Sequence, residues 1–419
     1  MAVDGVAVTG TPKQPSRITP AMAGVIFAAT FGSFLSVTPT IVAIMGVFLK
    51  PIAAEFGWRR SEVAGALAAL ALGNAVAYPF AGRLADRIGP RRTGLIGILM
   101  LGMSILFVSQ VPAQPVLYYL VFIFAGACGA MPSTMVFAKL IAEWFDRTRG
   151  MWMGFCGGVG NGLGAILFPM IGAALLTRYG WRTGFIGVGA IVLVTGFPVL
   201  FFLLRESPIR RLKATAEPVV LEGVTFREAM RSPRFWWIFS IVPVGGGCMT
   251  AMFSTIVPIL TDRGLSLDSA IVVIQAFALT TLAFEPSVGW LTDRTSSPKI
   301  IAPMFLTAAC GMWLLIHAQG EHMALVAGML IGVGAGVEYT VMPFLLSRYF
   351  GLKEFGAISG IAYAGTLLFG ALAPLGLNLA FDLTGRYDVA VYAIAGILVY
   401  SSAAILTFGP YKFANRSHA

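Results

Sequence analysis

Gly82-Arg83-Leu84-Ala85-Asp86-Arg87-Ile88-Gly89-Pro90-Arg91-Arg92 is a short charged turn between two long apolar stretches, and 207 positions on, Gly289-Trp290-Leu291-Thr292-Asp293-Arg294 repeats its opening, with Lys299 where the first copy has Arg92. Other landmarks keep nearly the same offset. Arg149-Gly150 is answered by Phe355-Gly356, Gly154 by Gly360, Gly164 by Gly370 and Gly57 by Gly264. A register held through several landmarks indicates internal duplication. Matching charged turns in two apolar halves indicate a membrane protein whose halves move against each other.

Hydrophobic residues make up 57% of the 419-residue chain and charged residues 11%, with a mean hydropathy of +0.83. A soluble domain needs more polar surface than that. The apolar residues fall into runs long enough to cross about 30 Å of hydrocarbon as helices. Twelve are predicted, at 21–49, 61–82, 93–111, 115–142, 150–177, 183–204, 235–261, 268–291, 299–317, 322–348, 355–381 and 388–410. The fold class expected is an all-α membrane protein of twelve transmembrane helices in two pseudo-symmetric six-helix bundles, 21–204 and 235–411. The polar ends, 1–20 and 412–419, read as tails. Pro12, Pro15 and Pro20 make the first a disordered segment and not a cleavable signal.

The net charge of +10 raises the question of nucleic acid, and its placement answers it. With the N-terminus inside, the inner segments hold 21 of the 29 lysines and arginines and the outer ones seven, leaving Lys139 inside a span. That is the positive-inside bias, so the basic balance reports topology and places both termini in the cytoplasm. Cys128, Cys156, Cys248 and Cys310 all fall in apolar spans without metal-ligand spacing and are expected to be buried apolar residues. His317, His322 and His418 form no cluster, and neither a metal nor a cofactor is expected.

The segment from Arg205 to Arg234 carries Pro208, Pro218 and Pro233 and reads as the linker between halves. Thr225 with Glu228 three residues on predicts a short interfacial helix before the seventh span, and Trp236 and Trp237 fit an aromatic belt. The fifth span spaces Gly150, Gly154, Gly158 and Gly162 for close helix approach, with the amide of Asn161 among them.

With these residues in view, the chain resembles the major facilitator superfamily of secondary transporters over essentially its whole length. The turn at 82–92 is similar to that superfamily's signature between helices two and three, which implies gating roles for Gly82, Asp86, Arg87, Gly89, Arg91 and Arg92, and for Asp293 and Arg294 in the repeat. Asp86 is expected to bond a neighbouring helix end or Arg87 in one state and release it in another. The 82–92 turn, which alone keeps a paired Arg91-Arg92, is expected to be the stronger gate. Phe48-Leu49-Lys50-Pro51-Ile52, Trp144-Phe145-Asp146-Arg147-Thr148-Arg149, Glu285-Pro286-Ser287-Val288-Gly289 and Gly334-Ala335-Gly336-Val337-Glu338 resemble segments of the monocarboxylate-transporter-like branch, the last in a form common among bacterial members. That resemblance implies a bacterial inner-membrane protein. The branch departs at its functional positions, however. The animal family's helix-one lysine and helix-eight Asp/Arg pair align with Ala43, Thr281 and Glu285, so the carboxylate-binding arginine is missing and lactate-type specificity does not carry over.

Glu338 lies near the middle of the tenth span and Glu285 in the inner half of the eighth. A carboxylate in hydrocarbon costs about 3 kcal/mol even on lenient insertion scales, so each is expected to face a cavity or a partner. Both are candidates for proton coupling or substrate contact, against a fixed pair with Arg348 or Lys139. Lys139 either pairs with Glu143 at i, i+4 or faces the cavity as the span-embedded cation for a carboxylate substrate. Asn74, Tyr78, Asn161, Gln275, Thr281, Tyr339 and Tyr363 are substrate-binding candidates, each equally able to join helices. The leading reading is proton-coupled symport of a small organic acid, a monocarboxylate or an aromatic acid, by alternating access in a monomer, its partners being solute, proton and bilayer. The alternative is a proton antiporter exporting an apolar or cationic compound, which two acids with few intramembrane cations suit. A membrane sensor or enzyme is disfavoured, because the longest polar segment is about 30 residues and no nucleophile elbow, HExxH or paired His/Asp cluster occurs.

Overall fold

The computed structural model describes residues 18–207 and 221–413. The expected tails lie largely outside those residues, as does the centre of the linker with Pro208 and Pro218. Eleven helical stretches are long and apolar enough to span a membrane. They are α1 Pro20–Phe56, α2 Arg60–Ile88, α3 Pro90–Val108, α4 Pro115–Trp144, a 55-residue stretch Arg149–Leu203, α7 Pro233–Asp262, α8 Leu267–Thr292, α9 Pro298–Ile316, α10 Glu321–Phe350, α11 Phe355–Thr384 and α12 Asp388–Leu406. The 55-residue stretch is two helices, because Gly180 stands at φ 80° and ψ 170° and breaks it into α5 (149–179) and α6 (181–203). The described residues therefore hold twelve spans.

Local sequence sets the ends. Proline occupies the first turn of α1, α3, α4, α7 and α9, where its missing N–H removes no helical bond. Gly57 and Gly385 close α1 and α11 in the left-handed region. Thr225 and Glu228 form a capping box that starts the helix Phe226–Arg231 just before α7. Large apolar side chains such as Phe80, Met103, Phe107, Val194 and Leu383 are exposed around the bundle. On twelve apolar helices that ring is the hydrocarbon-facing surface of a multi-pass integral membrane protein. Cys128, Cys156 and Cys248 are buried, but Cys310 is exposed on α9, contrary to expectation, because its helix turns that face outward.

Glycine contacts repeat with the sequence offset. A Cβ at Gly126 would overlap the carbonyl of Leu70, joining α4 to α2, and one at Gly332 would press on the carbonyl of Phe277, joining α10 to α8. These are the same contact in each half, 206 and 207 positions apart. Between halves, Gly82 packs on Gly356 and Gly289 on Gly150, backbone against backbone. The halves thus meet through α2 with α11 and α5 with α8, a pair of contacts related by the same duplication. Replacing Gly126 by valine forces α2 and α4 apart, and about 1–3 kcal/mol of destabilisation is expected, as for an overpacked core. Gly332→Val should lower the thermal midpoint in detergent similarly, and an unchanged midpoint in both would refute the contact.

Candidate translocation site

Where the halves meet, each charged turn caps a helix of the opposite half. Asp86 Oδ1 accepts from Gly356 N at 2.9 Å and its Oδ2 from Ala357 N at 2.8 Å, so the carboxylate sits on the N-terminus of α11. Asp293 does the same to α5, accepting from Gly150 N at 2.8 Å and Met151 N at 2.9 Å. Helix N-termini offer free amides and a positive dipole end, so both caps are electrostatically favoured. Gly82, Gly150, Gly289 and Gly356 let the backbones come close enough for this. Gly89, at φ 94°, turns the chain from α2 into α3. Arg91 caps the end of α6, donating to Leu204 O and Phe201 O, while Arg87 and Arg92 are exposed. Arg294 lies over the Trp290 ring, 3.7 Å from its centroid.

Lys139 is buried and ion-paired to Asp86, with Glu143 more distant at 4.0 Å. It serves the first cap and does not stand open toward a path. Arg348 does not pair with Glu338 either. It reaches across to Asp146, donating from Nη1 to the carboxylate at 2.8 Å and from Nη2 to the carbonyl at 2.6 Å, and Arg149 joins the same carboxylate at 3.2 Å. Sequence reasoning missed this inter-half lock of Asp146, Arg149 and Arg348, although Asp146 and Arg149 lie in a quoted segment.

Further from the turns, the interface becomes polar and buried. Glu285 lies against Gly158, where a Cβ would overlap its carboxylate, and its Oε2 has no hydrogen-bond partner among the described residues. Its carbonyl accepts from Thr340 Oγ1 at 3.0 Å. Tyr78 and Tyr363 face each other between halves with ring centroids 5.6 Å apart. Asn74 Oδ1 and the Tyr363 hydroxyl are buried and unpaired. Glu338 sits elsewhere, within the second half, its carboxylate pressed on Gly246 of α7 and its Oε2 likewise unpaired. Gln275 is exposed on the face of α8 that carries Leu282, Glu285 and Gly289 toward α5. Thr281 donates to Phe277 O and to Gly332 O of α10, a helix-joining position. Asn161 accepts from Ser36 at 3.4 Å and joins α5 to the break in α1. The side chain of Tyr339 lies outside what is described. An apolar cleft of about 460 Å³ between Met151, Trp290 and Met304 lies apart from these polar groups.

The Major Facilitator Superfamily model matches residues 22–374 and 272–414. The chain belongs to the major facilitator superfamily. Monocarboxylate transporter 13 of Bos taurus is 25% identical over 92% of this facilitator and 87% of its own length. The 4-hydroxybenzoate transporter PcaK of Pseudomonas putida is 25% identical over 85% of this chain and 88% of its own. Two relatives of equal identity carry different substrate names, so the match stands at superfamily level. Among solved structures, the facilitator FucP in the outward conformation superposes with a TM-score of 0.71 at 13% identity, covering 92% of this chain and 98% of that one. This is the fold of secondary transporters of small solutes.

Asp86 is ion-paired to the buried Lys139, whose charge loses its nearest partner when the carboxylate is removed, whereas Asp293 makes no such ion pair among the described residues. Asp86→Asn should therefore slow solute flux in proteoliposomes more than Asp293→Asn, and equal effects would contradict that ranking. Asp293, just beyond α8, should show itself in pH dependence. Burial pushes its carboxyl from 3.8 up to about 6, against the opposing pull of the Met151 and Gly150 amides and of Arg348 and Arg149. A raised acid stabilises the docked arrangement when protonated, so its contribution is full below about pH 4 and is lost as pH rises through about 6. Thermal unfolding between pH 4 and 7 should show this slope in the native chain and not in Asp293→Asn.

Proposed function

We propose that this facilitator is a proton-coupled symporter of a small organic acid in which Glu285 carries the proton. One observation carries the reading. Glu285 is buried at the contact between the halves with an unpaired carboxylate oxygen, whereas Glu338 is buried inside one half. Rocking of 21–204 against 235–411 opens and closes the Glu285 environment and leaves that of Glu338 intact. Protonation of Glu285 biases the direction of opening, since a neutral carboxyl does not demand a polar partner. The positive-inside bias supports a cytoplasmic side for the charged turns and both termini, and the resemblance to bacterial members supports a bacterial inner membrane. The Asp86 and Asp293 caps then form the inner gate, with Lys139 a gate residue. The relatives named for monocarboxylate and 4-hydroxybenzoate transport support an acid as solute.

A second reading, export of a cationic or apolar compound against protons, is favoured by one feature. Among the described residues no lysine or arginine forms an ion pair with Glu285 or Glu338. Uptake of labelled lactate, benzoate and 4-hydroxybenzoate into proteoliposomes under an inward proton gradient separates the two. Glu285→Gln should abolish gradient-driven accumulation but keep solute exchange, while Glu338→Gln should keep both. Accumulation undiminished in Glu285→Gln would refute the assignment, and expulsion of a cationic dye with no acid uptake would favour the exporter.

A further inference from the structure

The fourth span does not cross as one helix. Its first part ends at Gly129, and an 11-residue helix Thr134–Trp144 begins after Met131-Pro132-Ser133, midway along the span. Pro132 accounts for the break, since it lacks an N–H and disfavours helical backbone at Met131. The positive end of the second helix's dipole therefore lies in the interior. Its bond ladder opens with Val136 N and Phe137 N donating to Ser133 O at 3.0 and 3.2 Å, so the amides of Thr134 and Met135 come before it. Ser133, the N-cap residue, makes no capping bond.

A separate observation concerns the side chains around this helix start. Ser133 is 3% exposed and Asn74 4%, and Ser133 Oγ and Asn74 Oδ1 both lack a well-formed hydrogen bond. Both contact the Tyr78 hydroxyl, whose single proton can satisfy only one acceptor. A buried polar group left poorly paired costs about 1–3 kcal/mol, so this cluster has donor and acceptor capacity that a polar solute can fill. On the opposite side, Thr134 packs on Gly157 in the π-helical turn Phe155–Val159 of α5, and the next residue, Gly158, carries Glu285. Tyr363 lies within electrostatic reach of both Tyr78 and Glu285.

Resting on the acid-symport reading, we infer that the buried start of the Thr134–Trp144 helix is the carboxylate subsite, an arginine-free anion hole. The substrate carboxylate accepts from the Thr134 and Met135 amides and the Ser133 hydroxyl, with Tyr363 donating from the second half. Helix N-termini bind carboxylates by this chemistry without a cation. Coupling follows from charge. The titratable group facing Glu285 is Tyr363, with Tyr78 beyond it, and α5 and α10 present Gly154, Gly158 and Thr340; the charged groups Asp146, Arg149, Asp293 and Arg348 lie toward the turns. A substrate anion thus has no neutralising cation beside Glu285 and enters when Glu285 is protonated, since two like charges at one buried site disfavour each other. One proton moves with each monoanion.

The test is equilibrium binding of lactate, benzoate and 4-hydroxybenzoate, with uncharged benzamide as control, to the full chain in lipid nanodiscs. The native chain should bind at least one acid, and Ser133→Asp, which sets its own carboxylate on the amides, should weaken it by about tenfold or more. Ser133→Ala removes one donor and keeps the amides, and should weaken binding by less than Ser133→Asp does. If Ser133→Asp does not fold, Asn74→Asp delivers the same charge from α2 with the same expected loss. Native-like acid binding in the folded aspartate variant overturns the subsite and leaves acid transport standing. Absence of acid binding in the native chain overturns both, and benzamide binding as tightly as benzoate overturns the charge-based recognition.

Discussion

Two carboxylates on two helix ends hold the halves of this protein together. Buried between the halves, the first turns of α5 and α11 need acceptors for their free amides, and Asp293 and Asp86 provide them from the opposite half. Each cap works only where backbones nearly touch, which is why the glycine pairs 82/356 and 150/289 accompany the aspartates. The Asp146–Arg348 pair adds charge to the same end. An interface made of charge-assisted bonds and backbone contact depends on close docking, because its bonds weaken steeply with distance. Such an interface is suited to two discrete states and poorly suited to intermediate ones.

Much of this was legible because duplication writes structure into sequence. The pairs 82/289 and 150/356 were visible as repeats, yet sequence could not reveal that Gly82 packs on Gly356 and Gly150 on Gly289, since an offset gives equivalence and not contact. The twelve spans were readable from apolar runs, and the helix after Thr225 from its cap chemistry. Lys139 was open because its local partner, Glu143, competed with Asp86, which lies 53 positions away in sequence and adjacent in space. The break in α4 was missed for a different reason. Met131-Pro132-Ser133 interrupts neither the hydropathy nor the length of the run, and many spans here carry an internal proline without breaking.

The candidate site was legible in kind and not in arrangement. Glu285 and Glu338 looked alike as mid-span acids. Their difference is a matter of which face they occupy, one pressed on Gly158 of the other half and the other on Gly246 of its own. Thr281 and Asn161 proved to join helices, as polar groups in membranes commonly do. Tyr78 and Tyr363 belong together, although nothing in their sequence neighbourhoods links them.

The duplication is unequal where it matters for chemistry. The first half carries breaks within α1 and α4, at Leu35–Ser36 and Met131–Ser133, and a π-helical turn at Phe155–Val159 of α5, while its counterpart helices α7, α10 and α11 are α-helical throughout. The second half carries the two mid-span acids, Glu285 and Glu338, each with a buried carboxylate oxygen that has no hydrogen-bond partner among the described residues. Broken helices expose backbone donors, and acids hold or release protons, so the acid-symport reading assigns the anion to the first half and the proton to the second. On the symport reading, solute and proton meet where these unlike surfaces touch. Glu285 is on the moving boundary, and its neighbour Gly158 has no side chain to shield it. Coupling of this kind requires no rigid ion pair at the centre. It requires that the site tolerate one negative charge and not two, a condition that fits a Glu285 with no lysine or arginine ion pair among the described residues.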